Sequence, residues 1–141
     1  MTLASLIHTY VKFKDKEAGD RAFFLSAQCI EIMNDMAAWC EDRQLPFVVT
    51  ATVSTPDEDH CLNRVSSTHR EGRAFDISIH GWLEVAISEF IRTFSDQFLH
   101  VAALGGATNK PELIVRHNNG NGDHMHVQVA KVFGVPDPLS L

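Results

Sequence analysis

The side chains of this chain best suited to act together are His69, Asp76 and His126. Imidazole is the commonest protein ligand for zinc, and a carboxylate completes a borderline donor set. Two histidines and one acidic group leave a fourth coordination position to water, which is how catalytic zinc differs from closed structural zinc. His69 stands in Ser67-Thr68-His69-Arg70-Glu71-Gly72-Arg73-Ala74-Phe75-Asp76, and His126 in Gly122-Asp123-His124-Met125-His126-Val127-Gln128. Taken singly the pieces are ordinary, since a His-x-His on a strand is commonly a surface pair and an aspartate on a polar face is commonly just solvated. His8, His60, His80 and His100 have no comparable surroundings and are expected to be surface or satisfied histidines.

Elements of regular structure must bring these groups together. Phe75, Ile77 and Ile79 alternate with Ala74, Asp76 and Ser78, so a strand between Gly72 and Ile79 buries one face and shows a carboxylate on the other. Met125, Val127 and Val129 alternate in the same way with His124, His126 and Gln128. Antiparallel pairing of these two strands would set Asp76 a few ångströms from His126. Gly72 permits a tight turn that folds His69 back beside Asp76. The remaining segments supply the core. Asp20 is expected to cap a helix running to about Arg43, with Phe23, Ala27, Ile30, Met33 and Ala37 as its buried stripe. Pro46 ends it, and Phe47, Val49, Ala51 and Val53 form the inner face of the next strand.

Ser54 to Ser67 is irregular, with a short helix expected around Glu58 to Leu62. Trp82 to Phe98 is a second amphipathic helix, with Leu83, Ala86, Ile87, Phe90, Ile91 and Phe94 on its apolar side. Trp39 and Trp82 belong to helix core or helix edge. Short strands are expected at Leu99 to Leu104 and Leu113 to Arg116, with turns at Gly105-Gly106 and Asn118 to Gly122. This order predicts a single α+β domain over residues 1–141, a small antiparallel sheet with helices packed on one face.

Composition excludes several classes of partner. The 141 residues are 45% apolar, enough for a core without staples, and the net charge is −6. Nucleic-acid binding runs on clustered Lys and Arg, and docking on anionic membranes needs the same, so neither is expected. No stretch approaches a membrane span, and Met1 to Lys16 lacks the basic flank and apolar run of a secretory signal. The chain is therefore expected to be made in a cytoplasm and to stay there until something else releases it. Cys29, Cys40 and Cys61 show no CxxC spacing. Cys29 and Cys40 would lie about 16 Å apart along one helix, too far to pair, so all three are expected to be reduced.

The stretch from Ser67 to Asp76 resembles Ser-x-His-x-x-Gly-x-Ala-x-Asp, the first motif of the zinc D-Ala-D-Ala carboxypeptidases and dipeptidases and the phage L-alanyl-D-glutamate endolysins. Ser67, His69, Gly72, Ala74 and Asp76 match every fixed position. The second motif of that family is an acidic residue three before a histidine, here Asp123 and His126. The resemblance implies the Hedgehog/DD-peptidase fold, a Zn2+ ion on His69, Asp76 and His126, and Asp123 as the base that takes a proton from the attacking water and passes it to the leaving amine. It also places Ser67 at the substrate. Relatives with His-x-His use the first histidine in catalysis, which makes His124 the competing or auxiliary group and His117 a weaker one. A strand beginning at His124 sets that imidazole beside the metal, whereas one beginning at Met125 lets the preceding turn swing Asp123 inward; Asp123 is favoured. Relatives also carry a substrate-holding arginine in a Gly-Tyr-Arg-Ser context where this chain has Thr52-Val53-Ser54-Thr55. Arg64, five residues before His69, is the nearest replacement.

What the resemblance implies is a peptidase acting on peptidoglycan stem peptides, at the L-alanyl-D-glutamate bond first and the D-Ala-D-Ala bond second. The missing leader and wall-binding domain look like a phage-type lysis enzyme that reaches the cell wall after release, or a virion-associated or host-borne relative. The competing expectations are a binding module that keeps the zinc, as the Hedgehog signalling domain does, and a virion structural protein with the fourth position closed by His124. A retained base at Asp123 argues for turnover. The tail from Val132 to Leu141 has no assigned role.

Overall fold

The helix expected from Asp20 to Arg43 is two helices in the computed structural model, which describes residues 6–118, 122–132 and 137–139. Helix α1 (Lys16–Arg21) is capped by Asp15, whose carboxylate accepts from the Ala18 N–H at 2.8 Å. One 3₁₀ turn, Ala22–Phe24, follows, and the backbone extends at Leu25. Ser26 then caps α2 (Ala27–Asp42), its hydroxyl accepting from the Cys29 N–H at 3.2 Å. Capping explains the break: Asp15 and Ser26 each satisfy N–H groups that have no partner within a helix's first turn. A tertiary bond fixes its position, because the Ser26 N–H donates to the Gly72 carbonyl at 2.8 Å. The buried stripe of α2 accordingly runs through Ile30, Met33, Met36, Ala37 and Cys40, and Ala27 is exposed. Cys29 and Cys40, both on α2, are free buried thiols that burial pushes up to about 12, and Cys61 is free and exposed.

The sheet has five strands: β1 (Lys12–Phe13), β2 (Val48–Ala51), β3 (Ala74–Ser78), β4 (Ile114–Asn118) and β5 (Asp123–Gln128), in the order β1-β2-β3-β5-β4. Four of them pair antiparallel, as expected, but β1 runs parallel to β2, so the sheet is mixed. The cause is connectivity: the chain passes through α1 and α2 between β1 and β2, and a helical crossover returns it in the same direction. The alternation expected along β2 also breaks. Its register shifts between Val49 and Ala51, so that Ala51 rather than Thr50 stands opposite Asp76. Ala51 therefore leaves the core face and is only half-buried.

Leu99 to Leu104 is not a strand. Leu99–Val101 is a 3₁₀ turn that tightens the preceding helix end, with the Val101 N–H donating to the Phe98 carbonyl at 3.1 Å, and Ala102 and Leu104 make single bridges to Val129 and Pro111. Helix α3 (Pro56–Cys61) lies near the expected position and starts with a capping box between Thr55 and Glu58. Helix α4 (Glu84–Gln97) starts two residues after Trp82, whose indole N–H donates to the Pro46 carbonyl at 2.9 Å. In the expected turn at Asn118 to Gly122, residues 119–121 lie outside the described residues, as do 133–136 and 140–141 of the tail and 1–5 at the start.

Helices α2 and α4 share one apolar cluster with Phe47, Val49, Phe75, Ile77, Met125 and Val127, the inward residues of the sheet. That leaves Asp76, Ser78, His124 and His126 on the opposite face. No helix among the described residues is long and apolar enough to cross a membrane. Phe90 is the hub of the aromatic packing, 5.3 Å from Trp39, 5.2 Å from Trp82 and 4.8 Å from Phe94 between ring centroids. Phe90→Ala is expected to cost about 3–5 kcal/mol, seen in urea unfolding as a lower midpoint with an unchanged slope.

Candidate metal centre

Strands β3 and β5 pair so that Asp76 faces His126 and Ser78 faces His124. The turn before β3 brings in the third group. The Gly72 N–H donates to the His69 carbonyl at 3.1 Å, and Gly72 takes φ +71°, where a Cβ would meet the Phe24 carbonyl oxygen at 2.8 Å. Glycine is required there for conformation and for space. The result is a buried cluster, with His69 3%, Asp76 8% and His126 7% exposed, whose ligand atoms lie within 4.8 Å of one another.

Hydrogen bonds on the outside of the cluster decide what points inward. The His69 Nδ1–H donates to the Thr52 carbonyl at 2.7 Å, which leaves the lone pair on Nε2, 3.1 Å from Asp76 Oδ1. His126 Nε2 has the side-chain oxygens of Gln128 and Thr68 at 3.1 and 3.3 Å, which leaves Nδ1 facing the same Oδ1 at 2.9 Å. Two ring nitrogens and a carboxylate oxygen thus converge, an arrangement that needs either protons or a cation between them. Ligands on tetrahedral zinc stand about 3.3 Å apart; the two nitrogen–oxygen pairs, at 3.1 and 2.9 Å, are near that spacing, and the ligand atoms as a set lie within 4.8 Å of one another. Burial alone would push the Asp76 carboxyl up, but the neighbouring imidazoles of His69 and His126 outweigh it and hold it well below the usual carboxylate range.

Asp76 alone of the three lines a cleft of about 680 Å³, whose wall also includes His124, Asp123, Arg64, Arg116 and Trp82. This volume is within the range of small-ligand sites. Strand β5 begins at Asp123, one residue before the earlier of the two starts considered from the sequence, and Asp123 is paired in the ladder with Asn118. Alternation therefore sends His124 to the face of His126, with Nε2 3.9 Å from Asp76 Oδ2. Asp123 takes the other parity, where Arg116 binds it from Nε at 3.0 Å and also holds Glu84 at 2.8 Å. That guanidinium lowers the Asp123 carboxyl. Arg64 lies in the cleft wall with Nη1 donating to the buried Asp59 at 3.1 Å. Ser67 is not among the lining residues; its hydroxyl donates to Glu71 at 2.8 Å. His117 packs beside the site, with ring centroids 5.5 Å from His124 and 5.8 Å from His126. Partial burial, and then these two imidazoles, hold it below its ordinary value.

Sequence reasoning did not find Thr52, Thr68 or Asp59. Thr52 acts through a backbone carbonyl, which leaves no mark in a sequence, and Asp59 sits in a helix where an acidic residue is ordinary.

Two measurements follow from this geometry. Wild-type protein is expected to bind one zinc ion, and His69→Ala or Asp76→Ala to weaken binding by more than about 100-fold in a chelator competition. Glu71 anchors the turn that carries His69, accepting from Ser67, from Arg73 at 2.9 Å and from Lys131 at 2.8 Å. Burial opposes its charge, yet these partners prevail and lower the carboxyl from 4.5 to about 2. Its contribution is therefore complete above pH 4.5 and is lost as the pH falls toward 2. Glu71→Gln is expected to lower stability by about 1–3 kcal/mol at neutral pH and to flatten that acid decline in thermal scans.

Comparison with known protein families, with characterised proteins and with solved structures finds no match, so the chemistry assigned to this centre stands on its donor set and its cleft.

Proposed function

We propose that this protein is a zinc-dependent peptidase that hydrolyses a bond in the stem peptides of peptidoglycan. The observation that carries the proposal is the buried His69–Asp76–His126 cluster, whose ligand atoms lie within 4.8 Å of one another and which reaches the wall of a substrate-sized cleft through Asp76. The match of Ser67, His69, Gly72, Ala74 and Asp76 to the peptidase motif supplies the substrate class. The L-alanyl-D-glutamate bond is the first candidate and the D-Ala-D-Ala bond the second. The setting is a phage-type lysis enzyme that meets the cell wall after release.

Zinc held by these residues would acidify a water and polarise the scissile carbonyl. The side chains around it divide the remaining work. The His124 Nδ1–H donates to the Gly122 carbonyl at 3.0 Å, so Nε2 carries the lone pair on the side of Asp76. We assign His124 as the group that takes the proton from the attacking water and returns it to the leaving amine. Asp123 holds Arg116 in place at the cleft wall. Arg64, with one nitrogen tied to Asp59, presents the rest of its guanidinium to a substrate carbonyl or carboxylate.

One observation favours a second function, a zinc-containing binding or virion structural module without turnover: the carboxylate in the family's base position is committed to Arg116. Purified peptidoglycan separates the two. Release of new amino termini is expected from wild type, abolished by a chelator and restored by zinc. His124→Ala is expected to lose about 10²–10⁴-fold of the rate with zinc still bound, and Asp123→Ala less than about tenfold. The reverse order of these losses would return the base role to Asp123. Zinc-loaded protein that releases nothing supports the binding module, and activity that survives chelation rules out the metal mechanism. Mass analysis of the fragments names the bond.

A further inference from the structure

Gln128 follows His126 on the polar face of β5 and is buried at 6% exposure. A buried amide needs partners for both ends, and both are present. Its Nε2 donates to the Glu112 carbonyl at 3.0 Å, and its Oε1 lies 3.1 Å from His126 Nε2. The first bond orients the second. With its NH₂ group committed to a carbonyl, the amide has only its oxygen to offer the imidazole, so His126 must keep its proton on Nε2. The Thr68 hydroxyl, 3.3 Å from the same nitrogen, is the weaker acceptor and also contacts Ser66.

We infer that Gln128 is a positioning residue of the metal centre, which fixes the ring of His126 with Nδ1 facing the cation and so sets the affinity for a divalent metal. The inference rests on the assignment of His69, Asp76 and His126 as ligands. A ligand histidine is oriented by whatever binds its other nitrogen, and losing that partner typically costs 10–100-fold in metal affinity. Gln128 also ties the centre to a distant segment. Its carbonyl accepts from Ala103, and Ala103 in turn accepts from the Glu112 N–H at 2.8 Å. The loop that orients the amide is thereby held by the same residue.

Zinc affinity by chelator competition, with the visible spectrum of the cobalt-substituted protein, tests this on the full chain. Gln128→Met keeps the shape and removes the acceptor; it is expected to weaken zinc 10–100-fold and to alter the cobalt bands. Gln128→Glu keeps the acceptor and strengthens it with a negative charge, while it sets an oxygen in place of the donor to the Glu112 carbonyl; the charge facing His126 is expected to prevail, so that zinc binds at least as tightly as to wild type, with cobalt bands like the wild type's. Thr68→Val is expected to lose less than Gln128→Met. A folded Gln128→Met within threefold of wild type overturns the inference. So does Gln128→Glu weakened tenfold or more, a measurement that decides the matter even where Gln128→Met does not fold. Wild type that binds no zinc fails the ligand assignment itself, whereas wild type that binds zinc with Gln128→Met unchanged fails this inference alone.

Discussion

The register of β3 against β5 is the constraint on which the centre depends. Asp76 faces His126 because Phe75 faces Val127 and Ile77 faces Met125, and those apolar pairs are buried completely. A slip of β5 by one residue would turn His126 into the core and put Met125 and Val127 on the open face, leaving Asp76 without its partner. The register is thus enforced by the helices on the far side of the sheet, through contacts that involve none of the ligands. Hydrophobic packing places the two groups, and no attraction between the ligands themselves is needed to do so.

Placement by packing has an electrostatic consequence. A carboxylate buried as deeply as Asp76 needs positive charge or strong donors, and its nearest neighbours offer nitrogen lone pairs when both imidazoles are neutral. The surrounding bonds sharpen this. Thr52 accepts from one ring, Gln128 from the other, and each acceptor comes from a different part of the chain. Protonation of the rings would meet the charge of Asp76 and keep both outward donors, at the cost of placing two buried cations on one carboxylate. A divalent cation satisfies the carboxylate and both nitrogens together, which is why the same contacts that look costly without metal look prepared with it.

Much of this was legible in the sequence, because alternation is a strong signal wherever one strand face is buried. The inward and outward sets of β3 and β5, the convergence of Asp76 with His126, and the use of Gly72 all follow from residue types and spacing. The departures have separate causes. The split between α1 and α2 is set by Ser26 meeting Gly72, a contact between segments far apart in the chain. The parallel strand β1 is two residues long, too short to show any period. The shift in β2 moves Ala51 across the sheet, and no residue type announces it, since alanine suits either face.

Asp123 and His124, the two candidate bases, are separated by a small structural difference. Both residues lie in the cleft wall, and both belong to patterns that peptidases use. Strand parity separates them: once Asp123 joins the ladder, neighbours must diverge, and only His124 can share a face with His126. Arg116 reinforces the division, because it lies opposite Met125 on β4 and so binds Asp123 on the parity away from the ligands. Its second partner, Glu84, is the first residue of α4. Arg116 therefore joins the helix layer to the end of β5, and the contact that removes Asp123 from the metal side also fixes the edge of the cleft. A base at Asp123 would require this bridge to open, whereas a base at His124 uses the strand as it stands.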